Sequence, residues 1–543
     1  MKKTYLLILC GLAAVSCSDW LETSPEDYFS SGNFWKTSEQ VESYMQCLGN
    51  DMRSIVFNHS IRFGELGAGI YRTPVGTNGN SLADPTIVNH QLGADVPGVE
   101  SWGGYYAALA DVNLFIQKVE PTDFMATDKK HYLLAQAYAM RAFCYFDLYR
   151  MYGGVPLRLR ADVAGDGQAD VNQLYLGRST ASETMSQILA DADSSLALFG
   201  NENGFNPYGM GEKCFWNKAA AQCLKAEILL WNAKVSIDDF QADDSGLDEA
   251  RRLLEDVSAN YKLSLQPTYA LVFDADNKAN SEIILAVRYR DGEATNSNGS
   301  WLYHMSSGNI HTQYFRDGRA FYDTLTLIDG YNQVYEYLPQ MYLQYEGTSS
   351  LAALDHPVDT RADAIFLNSY DYDEGVLCLQ GTMCRKNIGS LVNGQRRQTG
   401  DYVLYRLPWV YLTLAEIANY QSDYYKVATY INLVRQRAYG SHWDAAQHAY
   451  TAGDFAQNEL AILSEKDKEF LQEGQRWFDL RRMLTEKGNE ATHLMFVPQA
   501  NPAGNGSGVL TADNAWRVLW PVSTTIHGND PLVNQTTGYP AFN

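Results

Sequence analysis

Apolar residues recur at three- and four-residue spacing over long tracts of this chain, and those tracts predict helices. Lys129 to Tyr152 is the clearest. Leu134, Tyr138, Tyr145, Leu148 and Tyr152 fall along one side, Gly153 and Gly154 stop the run and Pro156 prevents its resumption. Gln40 to Phe57 and Trp102 to Val119 precede it, the latter with Tyr105, Leu109, Val112 and Ile116 on one stripe. Ser182 to Phe199, Trp216 to Ser236 and Asp248 to Tyr261 follow. Alanines are dense where such helices would touch: Ala135, Ala137, Ala139 and Ala142 in one, Ala219, Ala220, Ala221 and Ala226 in another. Helix pairs with small residues at close contacts suggest tetratricopeptide-like hairpins, although the repeat is too degenerate to read from period alone. Between Leu271 and Gly400 the texture changes. Ser281 to Val287 reads as a short strand, and the remainder is Gly, Asn, Ser and Asp interrupted by aromatics, so a loop-rich elaboration of one face is predicted. Pro408 suits the first turn of a returning helix. From Glu469 to Arg482, Phe470, Gly474, Trp477, Phe478 and Arg481 recur at helical spacing. This predicts one core helix with an aromatic face ringed by Glu473, Arg476, Asp479 and Arg482. Asn501 to Asn543, punctuated by Gly and Pro, is expected to wrap the surface, and no flexible linker divides the chain.

The N-terminus has its own pattern. Lys2 and Lys3 precede an apolar run, Tyr5 to Val15, too short to span a bilayer as a stable helix, which is the layout of a secretory signal over residues 1–16. Ala13, Ala14 and Ser16 lead into Cys17 as in a lipoprotein cleavage site, with Ala14 where the usual pattern has Leu; an ordinary signal with an incidental Cys is the alternative. Acyl chains on Cys17 would add about 0.8 kcal/mol per buried methylene and hold the protein on a membrane. The formal net charge of -22 repels phosphate backbones and anionic membranes, which argues against nucleic-acid binding and leaves anchoring to the lipid. Cys144, Cys214 and Cys223 sit in apolar helical patterns and read as buried thiols. Cys378 and Cys384 bracket Gly381 in what reads as a loop, where they stand equally well as a local disulfide or as two thiols.

Catalytic constellations are absent from the sequence: it has no H-E-x-x-H, Walker loop, G-x-S-x-G elbow or paired C-x-x-C. Asp274, Asp276, Asn277, Asn280 and Glu282 hint at a calcium loop, but Ala279 and Leu285 occupy its Gly and bidentate-acid positions, so a plain acidic turn fits better. His304 and His311 lack a third ligand. No metal or cofactor is called for. The binding chemistry is more telling, because sugars want exposed aromatic platforms beside side chains that bond hydroxyls. Two regions carry that mixture. One is Tyr71 to Trp102, with Arg72, Asn78, Asn80, Asp84, Asn89 and Gln91. The other is Asn296 to Tyr345, with Asn298, Trp301, Tyr303, His304, Tyr314, Arg316, Tyr331, Tyr335 and Tyr342. Trp301 follows a Gly, Asn and Ser run that cannot easily bury it, which makes it the best single platform.

Glu469, Glu473, Gly474, Arg476, Asp479, Leu480 and Arg482 resemble the E-x-x-x-E-G-x-R-x-x-D-L-x-R signature of the SusD/RagB family, surface nutrient-binding lipoproteins of Bacteroidetes. Ile431, Asn432, Val434, Arg435, Arg437 and Ala438 resemble its I-N-x-V-R-x-R-A. Tyr411, Leu412, Leu414, Ala415, Glu416 and Asn419 resemble its Y-L-x-L-A-E-x-x-N. Leu519, Trp520, Pro521, Asn534, Gln535, Gly538 and Tyr539 resemble its closing motifs, and Trp102, Tyr106, Leu109 and Asn113 a structural helix of the family. Acidic Asp19 and Glu22 just past Cys17 resemble the surface-export signal of Bacteroidetes lipoproteins.

The resemblance implies a mainly α, SusD-like fold of tetratricopeptide-like helical hairpins with a loop-rich elaboration containing short strands. It divides the chain into an N-terminal helical part, 17–270, and a C-terminal part, 271–543, loop-rich over 271–400, helical over 408–487 and a wrapping tail over 488–543. It implies a non-enzymatic, lipid-anchored outer-membrane protein that captures oligosaccharides at the cell surface and passes them to a SusC-type TonB-dependent transporter. A RagB-like peptide receptor, a surface glycoside hydrolase and a scaffold without a small ligand remain as alternatives.

Overall fold

The computed structural model describes residues 34–71, 85–161, 174–296 except 206 and 210, 314–321, 337–501 except 387, and 506–542. The first half is a run of helices, each packed on the next: α1 (Ser38–Phe57), α2 (Gly103–Val119), α3 (Thr127–Tyr152), α4 (Ala181–Phe199), α5 (Lys218–Asn232) and α6 (Leu247–Asn260). Sequence punctuation sets their starts. Thr37 caps α1 with Gln40 in a reciprocal capping box, Thr180 does the same for α4 with Glu183, and Asn217 caps α5. Helix α1 runs on without a break into a π-helical segment, Asn58–Leu66.

Helix α3 departs from the one-sided stripe expected of it. Apart from Tyr138, every residue from Tyr132 to Tyr152 is buried, because α2, α4, α5 and the C-terminal tail surround it. Its alanines, Ala135, Ala137, Ala139 and Ala142, are fully buried, as close helix approach requires.

The chain then leaves the helical layer and returns to it. Strand β1 (Ile283–Val287) follows α6, and β6 (Tyr402–Arg406) leads directly into α7 (Leu407–Tyr420), whose Pro408 lies in the first turn. The two strands pair antiparallel, Ile283 opposite Arg406 and Val287 opposite Tyr402, so they clamp the neck of an excursion spanning 288–401. Helix α7 packs on α6 and on α8 (Tyr424–Tyr439), and α9 (Phe455–Glu469) closes the layer against both α7 and α8. The mainly helical, hairpin-built fold with few short strands is therefore present.

The excursion is more ordered than the loop predicted for it. Strands β2 (Phe366–Asp373) and β3 (Val376–Cys384) form a hairpin, and β4 (Ser390–Val392) and β5 (Gln395–Arg397) a second. Both turns are two residues long with positive φ at each position, Glu374–Gly375 (46° and 83°) and Asn393–Gly394 (52° and 75°), the conformation that matches strand twist. Cys378 and Cys384 are consequently two thiols rather than a disulfide. Both lie on β3 six positions apart, on the order of 20 Å along a strand, whereas a disulfide needs Cα atoms within about 7 Å. Cys144 and Cys223 are buried thiols as expected, Cys214 only partly so.

The predicted helix from Glu469 to Arg482 is also corrected. Helix α9 ends at Glu469, a turn follows, and α10 covers Arg476–Arg482. Gln472 and Gly474 in the turn have φ of 65° and 76°. A Cβ at Gly474 would meet Ser60 Cα at 2.6 Å, so the backbone of this turn lies against the π-helical segment, where no continuous helix could fit. The tail, expected on the surface, is partly interior: the Trp520 ring is buried against Phe63 at 5.1 Å, and the Trp520 backbone N–H donates to Met151 O.

Candidate functional site

The charged residues of the C-terminal motifs do not face solvent. They meet in the core. Arg406, at the junction of β6 and α7, donates from Nη1 to Glu282 at 3.0 Å and to Glu469 at 2.5 Å, and from Nε to Glu473 at 2.8 Å. Arg437 of α8 donates to Glu282 at 2.8 Å and also pairs with Glu469. Arg361 joins Glu469 at 2.9 Å, Glu465 at 2.7 Å and Asp359 at 2.6 Å, and Lys386 reaches Glu473 at 2.6 Å. All these side chains are buried. Burial by itself would raise the Glu469 pKa, yet Arg437, Arg406 and Arg361 together hold it far below the usual carboxylate range.

A neighbouring cluster is built the same way. Glu416 of α7 accepts from Lys234 at 2.9 Å, Lys466 at 3.0 Å and Arg482 at 2.8 Å, while Asp479 takes Lys466 and Arg482. A third lies in the first half: buried Asp147 accepts from Tyr105 at 2.8 Å and Arg150 at 2.6 Å and meets His59 Nδ1 at 2.9 Å. Arg150 continues to Glu227, which also accepts from Tyr405. Nearly every one of these charges is satisfied by another protein group, so the clusters tie helices and strands together and leave no charge for chemistry on a ligand. Trp477, predicted as core, is buried beside His90, and Trp102 is buried and stacked on Tyr106.

An exposed aromatic patch with polar neighbours lies on the excursion. Tyr314 and Arg316 are brought to one patch. The Tyr314 backbone pairs with Tyr370 of β2, donating N–H to Tyr370 O at 2.8 Å and accepting the return bond at 3.0 Å. Its ring stands edge-on to Tyr372, centroids 5.0 Å apart. Tyr372 is 50% exposed, and among the described residues its ring contact is with Tyr314. The Arg316 side chain, 60% exposed, lies 2.9 Å from His356 Nε2 and 3.7 Å from Asp355. Asp355 also accepts from Tyr370 Oη at 2.5 Å and Asn368 Nδ2 at 3.1 Å. Burial, and then the Asp355 carboxylate, push the Tyr370 phenol up to about 12, so it stays a donor. Two tyrosine rings beside a guanidinium, an imidazole and a carboxylate can stack on an apolar face and bond its fringe of hydroxyls.

Arg72, Asn78, Asn80, Asp84, Trp301, Tyr303 and His304 lie outside the described residues, as does Cys17. From the same two regions, Tyr71 and Tyr342 are buried and so belong to the interior, and Asn296 is buried with its Nδ2 donating to Gly400 O. Sequence reasoning missed Tyr370, Tyr372, Asp355 and His356. Alternation over Phe366 to Asp373 followed by Glu374–Gly375 was the signal that could have found the first two.

Two family models match this chain: the SusD family over residues 379–539, and a family described as starch-binding associating with outer membrane over residues 19–224. A crystal structure of a SusD superfamily protein from Bacteroides fragilis is 42% identical, with a TM-score of 0.84, covering 93% of this chain and 100% of that one. The chain belongs to the SusD family. NanU of B. fragilis is 27% identical with a TM-score of 0.75, covering 95% of this chain and 99% of NanU. SusD-like protein P38 of Formosa agariphila is 22% identical over 99% of this chain and 98% of its own. The residues that resemble the SusD signature thus lie in the buried ion clusters: Glu416, Arg437, Glu469, Glu473, Asp479 and Arg482 tie this chain's helices and strands together. The exposed Tyr314–Tyr372 patch lies outside all the signature segments. No helix among the described residues is long and apolar enough to cross a membrane.

Proposed function

We propose that this protein is a lipid-anchored outer-membrane receptor that captures oligosaccharides at the cell surface and passes them to a SusC-type TonB-dependent transporter. The observation that carries this reading is the half-exposed Tyr314–Tyr372 pair with Arg316, Asp355 and His356 at its edge, in a chain of the SusD family. The description of the second family model, starch-binding and associated with the outer membrane, supports the ligand class and the location. Cys17 behind an apolar signal supports the anchor. Such a receptor needs no covalent chemistry, since it works by raising local ligand concentration at the transporter. Arg72, Asn78, Asn80, Asp84, Trp301, Tyr303 and His304 belong to the proposed ligand face together with Tyr314 and Arg316.

A glycan array with the chain lacking its signal tests the ligand class, and calorimetry on Tyr372→Ala tests the patch. Loss of a stacking ring should weaken binding of the array's best neutral glycan by about 1 to 3 kcal/mol. Binding of peptides in place of glycans, or equal affinity in the variant, would overturn the reading. Cys17→Ala should move the protein from the membrane to the soluble fraction.

A further inference from the structure

A cleft of about 670 Å³ opens between α1, the loop before α5 and the turn after β1, and among the described residues it shares no lining residue with the Tyr314–Tyr372 patch. That volume falls within the roughly 300–1,000 Å³ typical of small-molecule sites. Its floor is the partly exposed ring of Phe215, kept open by two glycines. A Cβ at Gly49 would stand 3.1 Å from Phe215 Cε1, and one at Gly211 would stand 3.3 Å from Cε2.

Its walls are polar, and their charges are unequally spent. Arg53 is paired with Glu293 at 2.5 Å and donates to Arg288 O at 2.8 Å. Arg288 is paired with Asp401 at 2.7 Å. Arg290 is exposed and, among the described residues, has neither a carboxylate partner nor a side-chain hydrogen bond. The exposed amides of Gln46 and Asn50 are likewise unengaged there, and Asp51 Oδ2 is buried without a partner. We propose that this cleft is a second ligand site, taking a carboxylate-bearing saccharide whose acid group pairs with Arg290 and whose sugar ring lies on Phe215. The inference rests on the oligosaccharide reading and adds to it a charged substrate class and a separate place.

A chain of net charge -22 repels anions at long range, so an acidic ligand needs a local, unspent cation, and Arg290 is one. Of the carboxyls lining the cleft, Glu293 is held by Arg53, and Asp51 is softened: burial, then Asp111, push it up to about 7, leaving it partly neutral and able to donate to a ligand oxygen. The planar fork of Arg290 suits a carboxylate better than a lone hydroxyl.

The test is calorimetry on the whole chain with trigalacturonate and with its carboxyl-reduced, neutral counterpart. The wild type should bind trigalacturonate more tightly than the neutral trisaccharide, with an affinity that falls as salt rises. Arg290→Gln should weaken trigalacturonate on the order of tenfold, Arg290→Lys should recover part of that loss, and Tyr372→Ala should leave it unchanged. No preference for the acid in the wild type, or unchanged affinity in Arg290→Gln, overturns the inference. If Tyr372→Ala alone abolishes trigalacturonate binding, the acid sits on the tyrosine patch, and this inference fails while the receptor reading stands. If the chain binds no glycan of either charge, both fail.

Discussion

Replacing Arg406 by Met isolates the contribution of the largest buried ion cluster. The guanidinium bonds Glu282, Glu469 and Glu473 and also the Glu469 carbonyl at 2.7 Å, with almost no solvent contact. Methionine fills much of the stem's volume, so the cavity cost is small and the electrostatic loss dominates. The three carboxylates would not be bare: Glu469 keeps Arg437 and Arg361, Glu282 keeps Arg437, and Glu473 keeps Lys386. The expected cost is therefore near the usual penalty for breaking a buried pair, about 3 to 5 kcal/mol, not the sum of the individual bonds. The sign with pH follows from Glu469. Its folded pKa is depressed below the ordinary 4.5, so its stabilisation is present above 4.5 and is lost as pH falls toward the depressed value. Without Arg406 that depression shrinks, so the deficit of the variant should be largest at pH 7 and smaller near pH 3. Urea unfolding of both proteins at the two pH values measures it. A deficit under about 1 kcal/mol at pH 7, or one that does not shrink in acid, would refute the reasoning.

Other outcomes follow from single sites. Burial pushes Glu65 up to about 8 despite the Gly474 N–H it accepts, so its folded form is protonated. Stability should then fall on the order of 4 kcal/mol as pH rises from about 5 to 8, and Glu65→Gln should flatten that slope in thermal unfolding. Trp477→Ala should cost about 3 to 5 kcal/mol through a cavity beside His90, read by denaturant midpoint, with glycan affinity unchanged. Gly474→Ala should destabilise by more than about 1 kcal/mol, because φ of 76° and the 2.6 Å approach to Ser60 Cα both resist a Cβ. Reducing agent should leave the melting temperature unchanged, since Cys378 and Cys384 are free thiols on one strand.

The helical periods placed most first-half elements within a few residues, because helix formation there is governed by local spacing, and the structure adds caps at Thr37, Thr180 and Asn217. The family was also legible, since its motifs are linear strings of residues. The candidate site was legible only at Tyr314 and Arg316. Its other members come from β2 and from the segment before it, and they reach Tyr314 only through a backbone bridge to Tyr370 that no local pattern announces.

The sequence by itself determined the helices of the first half and the family. Each depends on residues within a few positions of one another. Tertiary structure alone decided where the charges of the signature lie. Glu473, Arg476, Asp479 and Arg482 read as a charged ring around the aromatic face of one core helix. Burial became possible only because partners distant in sequence, Glu282, Arg361, Lys386, Arg406, Glu416 and Arg437, supply the opposite charge. The broken helix has the same origin. Gly474 takes a left-handed φ because Ser60, 414 positions earlier by difference of their numbers, occupies the space that a continuous helix would need.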